Sequence, residues 1–263
     1  MAVAAKDVQA LRQATGVGMM DAKRALEASN GDMAAATKLL REQGLASAAK
    51  RAGRVAGEGA VAVVRDGDAA AIVELRCETD FVAKSDDFVS LVDEMAAKVA
   101  ADGESAVDSF KERLETLLTT LKENISVGRV VRLTAGPGQV VETYQHQQAG
   151  RGVNAVAVVA EGVSEEVAHD IAVNIAFYRP EYLSRADVPE ADVAAEREVI
   201  ETITRNEGKP EAALPKIIEG RLNGWFKERV LLEQPFARDD KQTVEQLLKG
   251  GKVVAFAQVV VGG

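Results

Sequence analysis

Hydrophobic spacing along the chain changes period several times, and each change marks a different kind of element. In the first 45 residues the spacing is helical and short. Val8 and Leu11 share a face of a first helix, and a second runs from Asp21, the expected N-cap, through Ala22, Ala25 and Leu26. A third follows Gly31, with Asp32 as its cap and Ala36, Leu39 and Leu40 on its stripe, and Gly44 is expected to close it. From Ala60 the period falls to two. Ala60 to Val64 and Ala69 to Leu75 flank Arg65-Asp66-Gly67-Asp68, the signal of a hairpin. Helical spacing then returns with Phe88, Leu91, Val92, Met95, Ala96 and Val99, and again between Val107 and Ile125 with Phe110, Leu114, Leu117, Leu118 and Leu121. Val127 to Leu133 reads as another strand, and Gly136-Pro137-Gly138 punctuates the chain.

The order then repeats. Val140 to Gln145 and Val153 to Ala160 form a second hairpin, followed by a helix through Val167, Ile171, Ala172, Ile175 and Phe177 that Pro180 ends. Val193 to Asn206 and Glu211 to Val230 make a helical hairpin about Glu207-Gly208-Lys209-Pro210. A short helix from Thr243 to Leu248 and a strand from Val253 to Val261 finish the pattern. The expected class is α+β: a three-helix domain over 1–45, a linker over 46–58, and two related subdomains with antiparallel sheets. The first subdomain spans 59–138. The second spans 139–180 and 231–263, with the helical hairpin inserted at 181–230.

Composition narrows the function classes. With 32 basic and 41 acidic residues the net charge is −9, which argues against a dominant nucleic-acid surface. No apolar run approaches the ~20 residues that span a bilayer, and Met1-Ala2-Val3-Ala4-Ala5-Lys6-Asp7 lacks a signal-peptide layout. A single cysteine, Cys77, allows no internal disulfide and fits a reducing compartment, so a cytoplasmic location is expected. The linker carries a basic run, Lys50, Arg51 and Arg54, that reads either as a solvated face or as a steering patch for an acidic partner.

Catalytic signatures are sparse. Gly208-Lys209 runs into Pro210 and Gly251-Lys252 into Val253, so neither is a phosphate loop; Gly16-x-Gly18 has no third glycine and no preceding strand. His146 and His169 are not at metal-ligand spacing, and no nucleophile elbow is present. No cofactor and no metal are expected. Two stretches instead suggest contact surfaces. Gly16-Val17-Gly18-Met19-Met20 places two methionines in a glycine-framed loop, either plugging the small bundle or offering an adaptable apolar patch. Cys77-Glu78-Thr79-Asp80-Phe81-Val82 joins a strand to a helix, with Thr79 the expected N-cap and Asp80 in a first turn whose dipole favours a carboxylate. Phe81 at this corner is either folded beneath it or projected outward as an apolar wedge beside a charge.

Thr79-Asp80-Phe81-Val82-Ala83 between strand and helix resembles the signature of elongation factor Ts. So does Leu11-Arg12-Gln13-Ala14-Thr15-Gly16-Val17-Gly18-Met19-Met20-Asp21-Ala22-Lys23-Arg24-Ala25-Leu26. Tyr144-Gln145-His146, Gly208-Lys209-Pro210 and Gln234-Pro235-Phe236 follow in family order across nearly the whole chain. The resemblance implies that the three-helix domain is ubiquitin-associated-like and docks on a GTPase, elongation factor Tu. It implies that Leu11, Met19, Met20 and His146 take part in docking. Thr79, Asp80, Phe81 and Val82 are implied to dislocate the partner's Mg²⁺ and GDP, so that the chain acts as a guanine-nucleotide exchange factor with no active site of its own. The alternative is a small dimeric α+β enzyme using His146 and nearby carboxylates. Self-association is left open.

Overall fold

The computed structural model describes residues 3–263; Met1 and Ala2, the start of the stretch read for a leader, lie outside the described residues. Three helices come first: α1 (Ala5–Thr15), α2 (Met19–Ala28) and α3 (Met33–Arg51). Val8, Leu11, Val17, Ala22, Ala25, Leu26, Ala36 and Leu40 form their shared core. Two expectations need correction here. Asp21 lies in the first turn of α2 rather than at its cap, which is Gly18. Gly44 does not close α3, which continues to Arg51 through much of the expected linker. The reason is tertiary: a side chain at Gly44 would overlap Thr119, so glycine there permits close packing against another helix instead of ending its own.

The body of the molecule is four layers deep. Strands β1 (Glu58–Asp66), β2 (Ala69–Cys77) and β3 (Ser126–Thr134) form one antiparallel sheet in the order β1-β2-β3. Between β2 and β3 lie α4 (Asp80–Ala83), α5 (Asp86–Asp102), a 3₁₀ stretch (Glu104–Phe110) and α6 (Lys111–Leu121). Strands β4 (Gln139–Gln148) and β5 (Arg151–Glu161) pair with β8 (Lys252–Val260) in a second antiparallel sheet, ordered β4-β5-β8. Helix α7 (Glu165–Tyr178) follows β5.

Alternation explains the layering. Ala60, Ala62, Ala71, Val73 and Leu75 face α5 and α6. Their neighbours Val61, Ala70 and Ile72 face Val141, Ala155, Ala157, Val159, Ala257 and Val259 of the other sheet. Val156, Val158 and Ala160 face α7 on the far side. The two sheets therefore stand back to back, each with helices outside, and β2 is buried along its length except at Arg76. The sheets are close enough at Gly152 that a side chain there would strike the Val61 carbonyl oxygen.

The remaining elements hang from the second sheet. Helices α8 (Glu190–Asn206) and α9 (Leu214–Arg229) pair around their own core of Val188, Ile200, Leu214, Ile218, Leu222 and Phe226. A small hairpin that hydrophobic spacing did not reveal, β6 (Pro235–Phe236) with β7 (Asp239–Thr243), leads into α10 (Val244–Leu247). The Gln234-Pro235-Phe236 string is an internal tie: Gln234 is fully buried and Phe236 nearly so, while the Ala237 amide donates to Asn174 Oδ1 at 2.8 Å.

Candidate functional site

The corner after β2 is built by its caps. Thr79 is the N-cap of α4, its hydroxyl oxygen accepting from the Val82 amide at 3.4 Å. Ala83 is buried below, anchoring the turn, and the Ser85 hydroxyl donates to the Val82 carbonyl at 2.8 Å. The helix stops after four residues and the chain restarts as α5 at Asp86, with Phe88 fully buried. The break separates two aromatics seven residues apart. Phe88 faces inward; Phe81 stands out of the fold, 83% exposed. Of the two positions that the residues alone allowed for Phe81, the outward one is observed.

Asp80 lies beside it. Lys84, one turn on, donates to its carboxylate at 2.5 Å and holds its pKa below the ordinary carboxylate value, with the Arg151 charge adding a smaller push in the same direction. The corner thus presents an ionised carboxylate next to an unpacked ring. Cys77, immediately beneath, is buried; desolvation pushes its thiol up to about 12 and leaves it inert.

A residue that sequence spacing did not single out holds this corner from below. Glu123, just past α6, accepts the Glu78 and Thr79 amides on Oε2 at 3.0 and 3.1 Å and the Thr79 hydroxyl on Oε1 at 2.5 Å. Its neighbour Asn124 donates its amide to Glu78 Oε1 at 2.7 Å. No local signal marks Glu123, because it lies more than forty residues along the chain from the groups it binds.

His146 is exposed on β4, in the strand's terminal stretch, and lines a cleft of about 640 Å³ with Glu58, Arg151, Asn154, Phe177 and Arg179. Arg151 links the cleft to the corner: it pairs with Glu58 at 2.8 Å and donates to the Gly59 carbonyl at 2.6 Å, and its charge is felt at both Cys77 and Asp80. The carboxylate that shares the cleft with His146 is therefore already engaged by a guanidinium. Phe177, read as a core position of α7, is instead 69% exposed at the cleft rim, stacked edge-on against Tyr178. The last turn of α7 is still tied to β5, the Asn154 side-chain amide donating to the Ala176 carbonyl at 2.9 Å, but the Phe177 ring is left outside that contact.

On the three-helix domain, Met19 and Met20 are 47% and 61% exposed at the start of α2. Leu11 is fully buried in the bundle core, where its side chain packs α1 against the other helices and takes no part in the exposed methionine patch. Two members of the basic run read in the linker, Arg51 and Arg54, are engaged internally, while Lys50 is exposed. Arg51 donates to the Leu118 carbonyl at 2.9 Å, and Arg54 pairs with Glu78 at 3.3 Å. Among the described residues no cluster of acidic, histidine and cysteine side chains has the arrangement of a metal site, and no helix is long and apolar enough to cross a membrane.

Relatives agree on where the chain belongs. Residues 78–263, which begin at the corner itself, match the family model for elongation factor TS. The chain is similar to elongation factor Ts of Renibacterium salmoninarum, 44% identical over 276 aligned residues covering 98% of each chain. It is likewise 44% identical to elongation factor Ts of Clavibacter michiganensis, again with 98% of each chain covered. With that of Levilactobacillus brevis it shares 41% identity over 99% of this chain and 92% of the relative. The chain belongs to the elongation factor Ts family of translation elongation factors.

Proposed function

We propose that this chain is a guanine-nucleotide exchange factor for elongation factor Tu, which binds the GDP-bound GTPase, unseats its Mg²⁺ and releases GDP so that GTP can enter. The observation that carries this reading is the exposed Phe81 ring beside the ionised Asp80 on a braced corner. An 83% exposed phenylalanine gains nothing from its own fold, and its burial on a partner would contribute roughly 1.5–3 kcal/mol. Tenfold in affinity is about 1.4 kcal/mol, so the ring can account for one to two decades of displacement.

Magnesium demands near-octahedral geometry, and a wedge that shifts its supports by a fraction of an ångström weakens it sharply. Asp80 adds a carboxylate that repels the phosphates and competes for groups that hold them. Met19 and Met20 supply a flexible apolar patch for docking, and His146 a second contact near the corner. By linkage, whatever factor the chain lowers GDP affinity by, GDP lowers the chain's affinity by as well. Release of labelled GDP from elongation factor Tu, followed by stopped flow with and without the chain, tests the reading. An acceleration that saturates with chain concentration supports it; an unchanged release rate rejects it.

A further inference from the structure

The three-residue turn after α6 touches three separate parts of the molecule at once. Lys122 closes α6 in the left-handed conformation, φ 59°, and its ammonium pairs with Asp21 of the three-helix domain at 2.9 Å. That contact holds the Asp21 carboxyl below the usual range, with Arg24 contributing further. Glu123 binds the corner as described, through two backbone amides and the Thr79 hydroxyl. Asn124 donates its side-chain amide to the Ala52 and Arg54 carbonyls of the linker at 3.3 and 2.8 Å, and its backbone amide to Glu78. The domain that carries Met19 and Met20, the linker and the Phe81 corner therefore share one support.

We infer that Lys122-Glu123-Asn124 is the positioning element of the exchange reaction, with Glu123 holding the Thr79–Val82 corner in its outward conformation before any partner arrives. The inference rests on the exchange reading above. The physical reason is preorganisation. A four-residue helix with an exposed apolar side chain has little packing of its own to fix it. A wedge that had to order itself on contact would lose the binding energy it is meant to deliver. A carboxylate accepting three hydrogen bonds from consecutive residues removes that freedom in the free chain. Glu123 touches no reacting group, so it is a positioning residue.

The full-length Glu123→Ala and Glu123→Gln variants test this in two ways. Glu123→Ala is expected to speed amide hydrogen exchange at Glu78 and Thr79 in the free chain. It should also lower the maximal rate of GDP release from elongation factor Tu about tenfold, the equivalent of one charge-assisted hydrogen bond. The concentration giving half-maximal release should move less than about twofold. Glu123→Gln keeps an acceptor for the two amides and can donate to Thr79 Oγ1, so it should restore most of the rate; a merely structural role would move both kinetic parameters together. Should Glu123→Ala fail to fold, Thr79→Val, which keeps the branched shape and drops the hydroxyl, is expected to lower the maximal rate in the same direction. Unchanged amide exchange in Glu123→Ala overturns the inference, as does a full maximal rate in that variant or, where it does not fold, in Thr79→Val. If the wild-type chain releases no GDP, the exchange reading fails by itself, and the amide measurement still decides whether Glu123 holds the corner.

Discussion

The two halves of the body open on the same plan, a hairpin leading to a capped helix, and differ at the corner between them. Each is a hairpin running into a helix, β1-β2 into α4 and α5, β4-β5 into α7. At the second corner Ser164 caps α7, accepting from the Val167 amide at 3.3 Å, and the helix runs unbroken for 14 residues. At the first, Thr79 caps a helix of 4 residues that breaks before α5 begins. Two residues past the cap, the second corner carries Glu166 and the first carries Phe81. Capping chemistry is thus the same, and what it presents is not. A continuous helix spends its first turn on joining the sheet, whereas the broken one turns outward a ring that the fold does not need. The extra brace from Glu123 exists only at the first corner, where something is presented.

Substitutions can break this comparison. The largest effect is expected from Phe81→Ala, which should cut the maximal rate of GDP release by one to two decades while the melting temperature hardly moves, since the ring is exposed. Glu166→Ala at the matching place of the second corner should leave release unchanged, measured in the same stopped-flow assay. A smaller effect, in affinity rather than rate, is expected from Met19→Ala with Met20→Ala: about a tenfold rise in the concentration for half-maximal release with the maximal rate retained. A titration of the exchange rate against chain concentration separates the two.

The caps sharpen the contrast further. Thr79→Ala and Ser164→Ala should each cost about 1 kcal/mol of stability by denaturant unfolding, with the Thr79 variant somewhat worse because it also loses its bond to Glu123. Only Thr79→Ala should slow exchange. The smallest effect concerns Lys84. Because Lys84 depresses the Asp80 pKa, the contribution to stability is present above the ordinary carboxylate value of ~3.9 and is lost as pH falls through the lower folded value. In Lys84→Met the Asp80 titration midpoint, followed by NMR, should rise toward the ordinary value. A midpoint that stays put would mean that another charge, Arg151 foremost, sets it.

Much of this architecture was legible because local signals and tertiary packing agree. Asp-Gly between two alternating runs marked the β1-β2 hairpin, and Gly67 indeed takes a positive φ there, 55°. Thr79 could be read as a cap from its place between strand and helix. Where the reading departed from the structure, a distant contact had overridden a local preference. Gly44 looked like a helix stop until Thr119 is seen packed against it. Leu11 sits in a matching string and yet is interior, because a family string records packing as well as contact. The back-to-back stacking of the sheets leaves its mark in unbroken apolar runs, Ala69 to Val73 and Ala155 to Ala160, because both faces of these strands are covered. The β6-β7 hairpin is too short and too polar to register at all. Glu123 had no sequence signal, being a charged residue in a loop whose role exists only after β2 and α6 have folded together.

The exchange reading requires above all that the Phe81 ring act on metal and nucleotide held by another protein. The most direct measurement is release of labelled GDP from elongation factor Tu, in excess Mg²⁺ and again with Mg²⁺ chelated, by the wild-type chain and by Phe81→Ala. The wild-type chain is expected to accelerate release in Mg²⁺ at least about tenfold more than the variant does, and the difference should shrink once the metal is gone. Equal acceleration by the two chains in Mg²⁺ would contradict it.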